Sequence, residues 1–216
     1  MRQIWAILKK ELLIEWRLKH TFWGALLYIG CTVFIVFLMA RQPESRVWNA
    51  LFWIAQLFIV INTVSKSFLQ ETVERYRYYY TIVSPSRFIL AKLMYSSILM
   101  LLMTLVSVTL FYGIMDIHFH NPYRFILVAV LGSQGLALLF TFLSAIASQA
   151  KQNAALMAIL GFPLSIPLLL ILDKLSFAAL APVFQEDWGT LLLVMTGMNG
   201  VIVGLALLLF PFLWKE

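Results

Sequence analysis

The sequence predicts an all-α integral membrane protein with six transmembrane helices, an interfacial helix at its N-terminus and a cytoplasmic helix between the second and third spans. Three observations carry this. Six stretches contain no charged residue: 21–40, 47–65, 93–115, 125–150, 152–172 and 188–214. The shortest has 19 residues, which as a helix covers about 29 Å and so matches a hydrocarbon core of roughly 30 Å. Hydrophobic residues make up 62% of the 216-residue chain and charged residues 12%, so one membrane domain (1–216) takes up the whole length and no soluble domain fits beside it. Backbone amides in lipid must be satisfied within the segment, which makes these runs helices rather than strands.

Residues 1–20 precede the first span and read as a helix lying in the membrane interface. Trp5, Leu8, Leu12 and Trp16 fall on one stripe at helical spacing, with Lys10 and Arg17 nearly opposite. An ordinary charged flank that anchors topology is the plainer alternative. The first span, 21–40, holds the single cysteine, Cys31, so neither a disulfide framework nor a thiolate metal cluster is available. The N-terminus reads as a retained start-transfer helix rather than a cleaved signal.

In the second span, Gln56 and Asn62 are amides that lipid would leave unsatisfied, so hydrogen bonds to neighbouring helices are expected. The fourth span has a small and polar patch, Gly132-Ser133-Gln134-Gly135, continued by Ser144 and Ser148. Span six contains Gly200 and Gly204, a GxxxG that predicts close helix approach. Span five carries Gly161-Phe162-Pro163-Leu164-Ser165-Ile166-Pro167. Two prolines four apart remove two backbone donors, which predicts a bend or unwinding and makes Pro163, Ser165 and Pro167 candidates for a hinge or a substrate path. A packing kink is the alternative. Residues 173–187 read as an amphipathic outer connection.

Charge sets the orientation. Of the 16 basic residues, 12 lie before span one, between spans two and three, at Lys151 and at Lys215. Arg41, Arg46, Arg124 and Lys174 lie on the other side. By the positive-inside rule both termini are expected to be cytoplasmic, and the expected location is the cell inner membrane. The net charge of +6 is thus a topology signal, and nucleic acid is not an expected partner.

The segment 66–92 is too long for a turn and too aromatic for a flexible linker. Glu71, Glu74, Arg75 and Tyr78 fall at i, i+3, i+4 and i+7 and share a helix face suited to docking another protein. A solvated face is the bland reading. Ser84-Pro85 reads as an N-cap followed by proline at the first helical position, opening the helix of span three.

Two stretches resemble a known family. Phe68-x-x-Glu71-x-x-Glu74-Arg75 followed by Ser84-Pro85, and Pro163-Leu164-Ser165-Ile166-Pro167-Leu168, are similar to motifs of type-2 ABC exporter permeases. Within that group the likeness is to the CcmB family, the membrane permeases of the haem exporter of cytochrome c maturation. Arg75 stands where the family tends to have glycine. The resemblance covers nearly the whole chain. It implies a non-catalytic permease with a coupling helix, an ATPase on a separate chain, a second copy of the permease, other cytochrome c maturation membrane subunits as partners, and haem as a possible substrate.

No G-x-x-x-x-G-K-[ST] loop occurs, so ATP is not bound here in the P-loop manner, and no Ser/His/Asp or H-E-x-x-H set is present. His118 and His120, beside Asp116, offer an HxH that could ligate haem iron or serve only as interfacial polar groups. No firmly bound cofactor is expected. Two further readings stay open: a type-2 ABC permease for a lipid, polysaccharide or drug, and a membrane scaffold or secondary transporter without an ATPase. The six windows hold no Asp, Glu, Lys or Arg, which weakens an ion-coupled carrier.

Overall fold

The computed structural model describes residues 2–17, 19–40, 44–69, 83–115, 120–149, 154–180 and 187–214. All regular structure among them is helical: α1 (Arg2–Arg17), α2 (Lys19–Ala40), α3 (Ser45–Leu69), α4 (Pro85–Met115), α5 (Pro122–Gln149), α6 (Ala154–Leu180) and α7 (Trp188–Leu213).

The starts of these helices follow from local chemistry. The Ser84 carbonyl accepts from the amides of Arg87 (3.0 Å) and Phe88 (3.1 Å), so Ser84 occupies the N-cap position and Pro85 the first helical one, as the sequence predicts. Asn121-Pro122 repeats the device, with the Phe125 amide donating to the Asn121 carbonyl at 3.2 Å. The Asp187 carbonyl accepts from Leu191 at 2.9 Å to start α7, and a carboxylate there also faces the positive end of the helix dipole.

Five stretches are long and apolar enough to cross a bilayer: Ser45–Val64, Pro85–Ile114, Pro122–Ser148, Ile159–Leu180 and Trp188–Phe212. The apolar part of α2, Trp23–Met39, is shorter, and its 17 residues span about 26 Å. Several helices overrun the charge-free windows. α4 begins at Pro85 and takes in Lys92, and α6 runs on through Asp173 and Lys174 to Leu180. The outer connection expected at 173–187 is therefore corrected: 173–180 is the last two turns of α6, tied down by the buried Leu175, Ala178, Ala179 and Leu180. A charged pair ends an apolar window but does not end a helix whose other side is packed.

α5 is the central helix. It packs against α3, α4, α6 and α7, and 67% of its spanning window is buried, against 11% for α7. Lipid tails are as apolar as leucine, so close approach through small residues has to hold such a bundle. The patch in α5 supplies it. A Cβ on Gly132 would collide with the side chains of Leu172 and Trp53, and one on Gly135 with Asn199, Met195 and Leu168. Gly161 of α6 is likewise pressed against the Phe140 ring. Gly200 and Gly204 have nothing within 4 Å of an added Cβ, so the close approach expected of that GxxxG is absent within the described part of this chain.

Candidate functional site

One end of the bundle gathers α1, the start of α4, the C-terminal turns of α5 and the end of α7. Ile7, Phe88, Ile89, Phe142, Ala145, Phe210 and Trp214 form a buried cluster there. Phe88 stacks on Phe210 (centroids 6.0 Å apart, planes at 15°) and packs against Trp214 at 5.0 Å. The first turn of α4, inside the predicted segment 66–92, is thus fixed in an aromatic box.

A polar ladder fixes the same turns to α1. The Arg87 Nη1 donates to Gln3 Oε1 at 2.7 Å, Lys92 Nζ pairs with Glu11 Oε1 at 3.1 Å, and the Tyr95 hydroxyl donates to Glu15 Oε2 at 2.9 Å. Lys92 is fully buried. Its ammonium also lies 5.8 Å from the Phe88 ring centroid, and Lys10 makes a second contact to Glu11 at 3.1 Å. The rungs advance in the same sense along both helices, from Gln3 to Glu15 and from Arg87 to Tyr95. α1 presents Ile7, Leu8 and Glu11 inward and leaves Trp5 and Trp16 at 66% and 79% exposure. Of the predicted stripe, Leu8 is buried, Leu12 and Trp16 are exposed at the edge of a cleft beside α2 and α4, and Trp5 is exposed. Sequence reasoning missed the ladder because Lys92 serves as the boundary of a charge-free window. Its signal was Glu11 and Glu15 one turn apart on α1, facing Lys92 and Tyr95 three apart on α4.

The opposite end is also knitted by polar contacts. Asn49 donates to the Asp173 carboxylate at 2.7 Å, and the Trp53 indole donates to Ser176 Oγ at 2.8 Å. The Arg46 guanidinium lies 5.4 Å from the Phe177 ring and that of Arg124 5.1 Å from Trp188. The Asn121 amide bonds to the Ala179 carbonyl at 3.1 Å. Beneath them Trp48, Phe52, Phe111 and Phe125 form a fully buried aromatic cluster with centroids 5.2–5.6 Å apart.

The predicted site residues are distributed as follows. Ser84 and Pro85 take the positions expected of them, and Phe68 lies in the last turn of α3. Glu71, Glu74, Arg75 and Tyr78 lie outside the described residues, as does His118. His120 is exposed, and no group of three or more His, Cys, Asp or Glu that could hold a metal occurs among the described residues. Pro163 and Pro167 do not unwind their helix: α6 is continuous through both. They sit on its exposed face with Phe162, Leu164 and Ile166, while the buried Ser165 turns inward and donates to the Phe162 carbonyl at 2.9 Å. Proline lacks a backbone donor and crowds the carbonyl one turn earlier whichever way its ring faces, and α6 accommodates both without interruption. Gln56 reaches a neighbouring helix, accepting from Thr104 at 3.4 Å, whereas Asn62 is exposed and turns back to the Phe58 carbonyl of its own helix.

Long apolar helices closed on themselves by small-residue contacts, with the charges of the described residues at paired positions and near helix ends, fit a multi-pass, all-helical membrane protein. The family described as CcmB protein matches residues 2–213. The chain belongs to that family, whose members are haem-exporter-type ABC permease subunits acting in cytochrome c maturation. No curated protein matches the sequence.

Proposed function

We propose that this chain is the membrane permease subunit of an ABC complex that exports haem, or delivers it, for the biogenesis of c-type cytochromes. The family match over residues 2–213 carries the reading. In it, six helices cross the inner membrane, both termini are cytoplasmic, and two permease copies work with two copies of an ATPase and with other cytochrome c maturation membrane subunits. The segment 66–92 is the coupling element, with Phe68, Glu71, Glu74, Arg75, Tyr78, Ser84 and Pro85 at the ATPase interface and Pro163, Ser165 and Pro167 along the moving helix. A displacement of that segment would reach α4 at Pro85, where the aromatic box and the α1 ladder tie the helix start to α1, α5 and α7. Force passes only through contacts that differ between nucleotide states.

The test is co-purification of the ATPase together with haem attachment to a reporter cytochrome c, in cells where this chain is the sole permease. A Glu71→Ala, Glu74→Ala double variant is expected to insert normally and to lose ATPase association, haem attachment or both. The loss is about 2–5 kcal/mol if the partner charges are left unpaired. Unchanged association and attachment at normal expression would make these carboxylates a solvated face and remove the coupling assignment.

A further inference from the structure

Between α1, α2 and α4 lies a cleft of about 380 Å³ lined by Leu12, Glu15, Trp16, Trp23, Ile98, Leu99 and Leu102. Its size falls within the range of small-ligand sites. One lining side chain is ionisable, the Glu15 carboxylate, and the rest are aliphatic or tryptophan. Tyr95 donates to Glu15 Oε2 at 2.9 Å and so holds the carboxylate in place from the protein side. A carboxylate has about four lone-pair positions, and one such bond leaves capacity for a second donor.

The cleft is not sealed. Trp16 and Trp23 at its edge are 79% and 64% exposed, and Leu12, Ile98 and Leu102 are also exposed. Leu27, one turn on from Trp23, and Leu101 and Leu105, at helical spacing from Ile98 and Leu102, are exposed on α2 and α4. Tryptophans with an amphipathic helix mark the headgroup level, and a long apolar helix running away from them marks the acyl region. An occupant that fits has a cationic, hydrogen-bonding head and an apolar tail that leaves the cleft along α2 and α4.

We propose that this cleft binds a phospholipid carrying a primary ammonium headgroup, with the ammonium donating to Glu15 and an acyl chain against Leu12, Ile98 and Leu102. The preference follows from the carboxylate. An anionic headgroup is repelled by Glu15, and a quaternary ammonium has no N–H to donate, although the tryptophan faces can attract it weakly. A primary ammonium makes a charge-assisted hydrogen bond in a site partly shielded from water. The inference rests on the membrane-spanning character of the chain and not on its transport substrate.

The experiment uses the delipidated full-length chain in detergent, titrated with dioleoyl phosphatidylethanolamine, phosphatidylcholine or phosphatidylglycerol and read by native mass spectrometry. One phosphatidylethanolamine should be retained about tenfold more tightly than either other lipid, the size expected of one charge-assisted hydrogen bond. Glu15→Gln should bring phosphatidylethanolamine down to the phosphatidylcholine level, and Glu15→Asp should keep the preference. Ile98→Trp, which fills the cleft from the α4 side without touching the carboxylate, should weaken phosphatidylethanolamine by a similar factor. Equal retention of the three lipids by the unsubstituted chain overturns the proposal, as does tighter phosphatidylcholine or phosphatidylglycerol. A preference that survives both Glu15→Gln and Ile98→Trp overturns it too.

Discussion

The Glu11–Lys92 pair is held largely away from water, because Lys92 is fully buried and Glu11 is 7% exposed, although Glu11 also has Lys10 at 3.1 Å. Breaking such a pair from one side costs about 3–5 kcal/mol, whereas replacing both partners by apolar residues of similar volume is often neutral. Glu11→Leu alone is therefore expected to lower the stability of the purified chain by up to that amount, and Lys92→Met alone by less, because Lys10 still faces Glu11 at 3.1 Å. The double substitution should recover most of it. Thermal unfolding in detergent, analysed as a double-mutant cycle, measures this, and single losses below about 1 kcal/mol would mean a hydrated pair. The glycines give a second contrast. Gly132→Ala forces a methyl group into Leu172 and Trp53, an overpacking worth about 1–3 kcal/mol. Gly200→Ala meets nothing within 4 Å and should stay within about 0.5 kcal/mol in the isolated chain. A Gly200→Ala variant as unstable as Gly132→Ala would indicate a partner on α7 that persists through purification.

At the scale of the helices, what could be read from the sequence was the signal that composition imposes over twenty residues. Each charge-free window corresponds to a helix, because lipid leaves the backbone no other way to satisfy its amides. Ser84-Pro85 marked the start of α4 because a proline ring and a cap act within a few residues. What could not be read depended on which face meets which neighbour. Lys92 looked like a boundary because its partner lies 81 positions away at Glu11. Asp173 looked like loop because its partner is Asn49, 124 positions distant. Pro163 and Pro167 predicted a bend or an unwinding, and the helix runs through both without unwinding. That geometry makes a prediction. Pro163→Ala with Pro167→Ala restores two backbone donors inside a helix interior and should raise stability by up to about 3 kcal/mol per position. If α6 bends during transport, the same variant should lose haem attachment to the reporter cytochrome c while expressing normally. Full attachment in a stabilised variant would show that the prolines serve packing alone.

For the whole molecule, the packing brings both ends of the chain to one end of the bundle, and the distribution of charge is the argument for which side that end faces. Ile7, near the N-terminus, Phe88 at the start of α4 and Trp214 near the C-terminus share one buried cluster. Both ends of the chain and the entry to α4 therefore lie at the same end of the bundle. Asn49, Asn121, Asp173 and Trp188 meet at the other. An even number of crossings satisfies this, as the proposed six would if α2 crosses together with the five longer spans. The basic residues repeat the division, 12 against 4. Lys92 is neutralised by Glu11, and setting it aside leaves 11 against 4, still one-sided. The expectation is that residues 41–46, 116–124 and 181–187 face the periplasm and that both termini are cytoplasmic. The measurement needs a Cys31→Ser background, since Cys31 is exposed on α2. In intact cells, Ser45→Cys and Gln185→Cys should react with an impermeant thiol reagent, and Tyr79→Cys should react only after the membrane is opened. Labelling of Tyr79→Cys from outside with protection of the other two would invert the molecule. It would also place the segment 66–92 out of reach of any cytoplasmic ATPase and defeat the coupling role together with the topology. Labelling at Ser45→Cys but not at Gln185→Cys would leave the charge rule intact and instead bury residue 185 under a partner or in the outer leaflet.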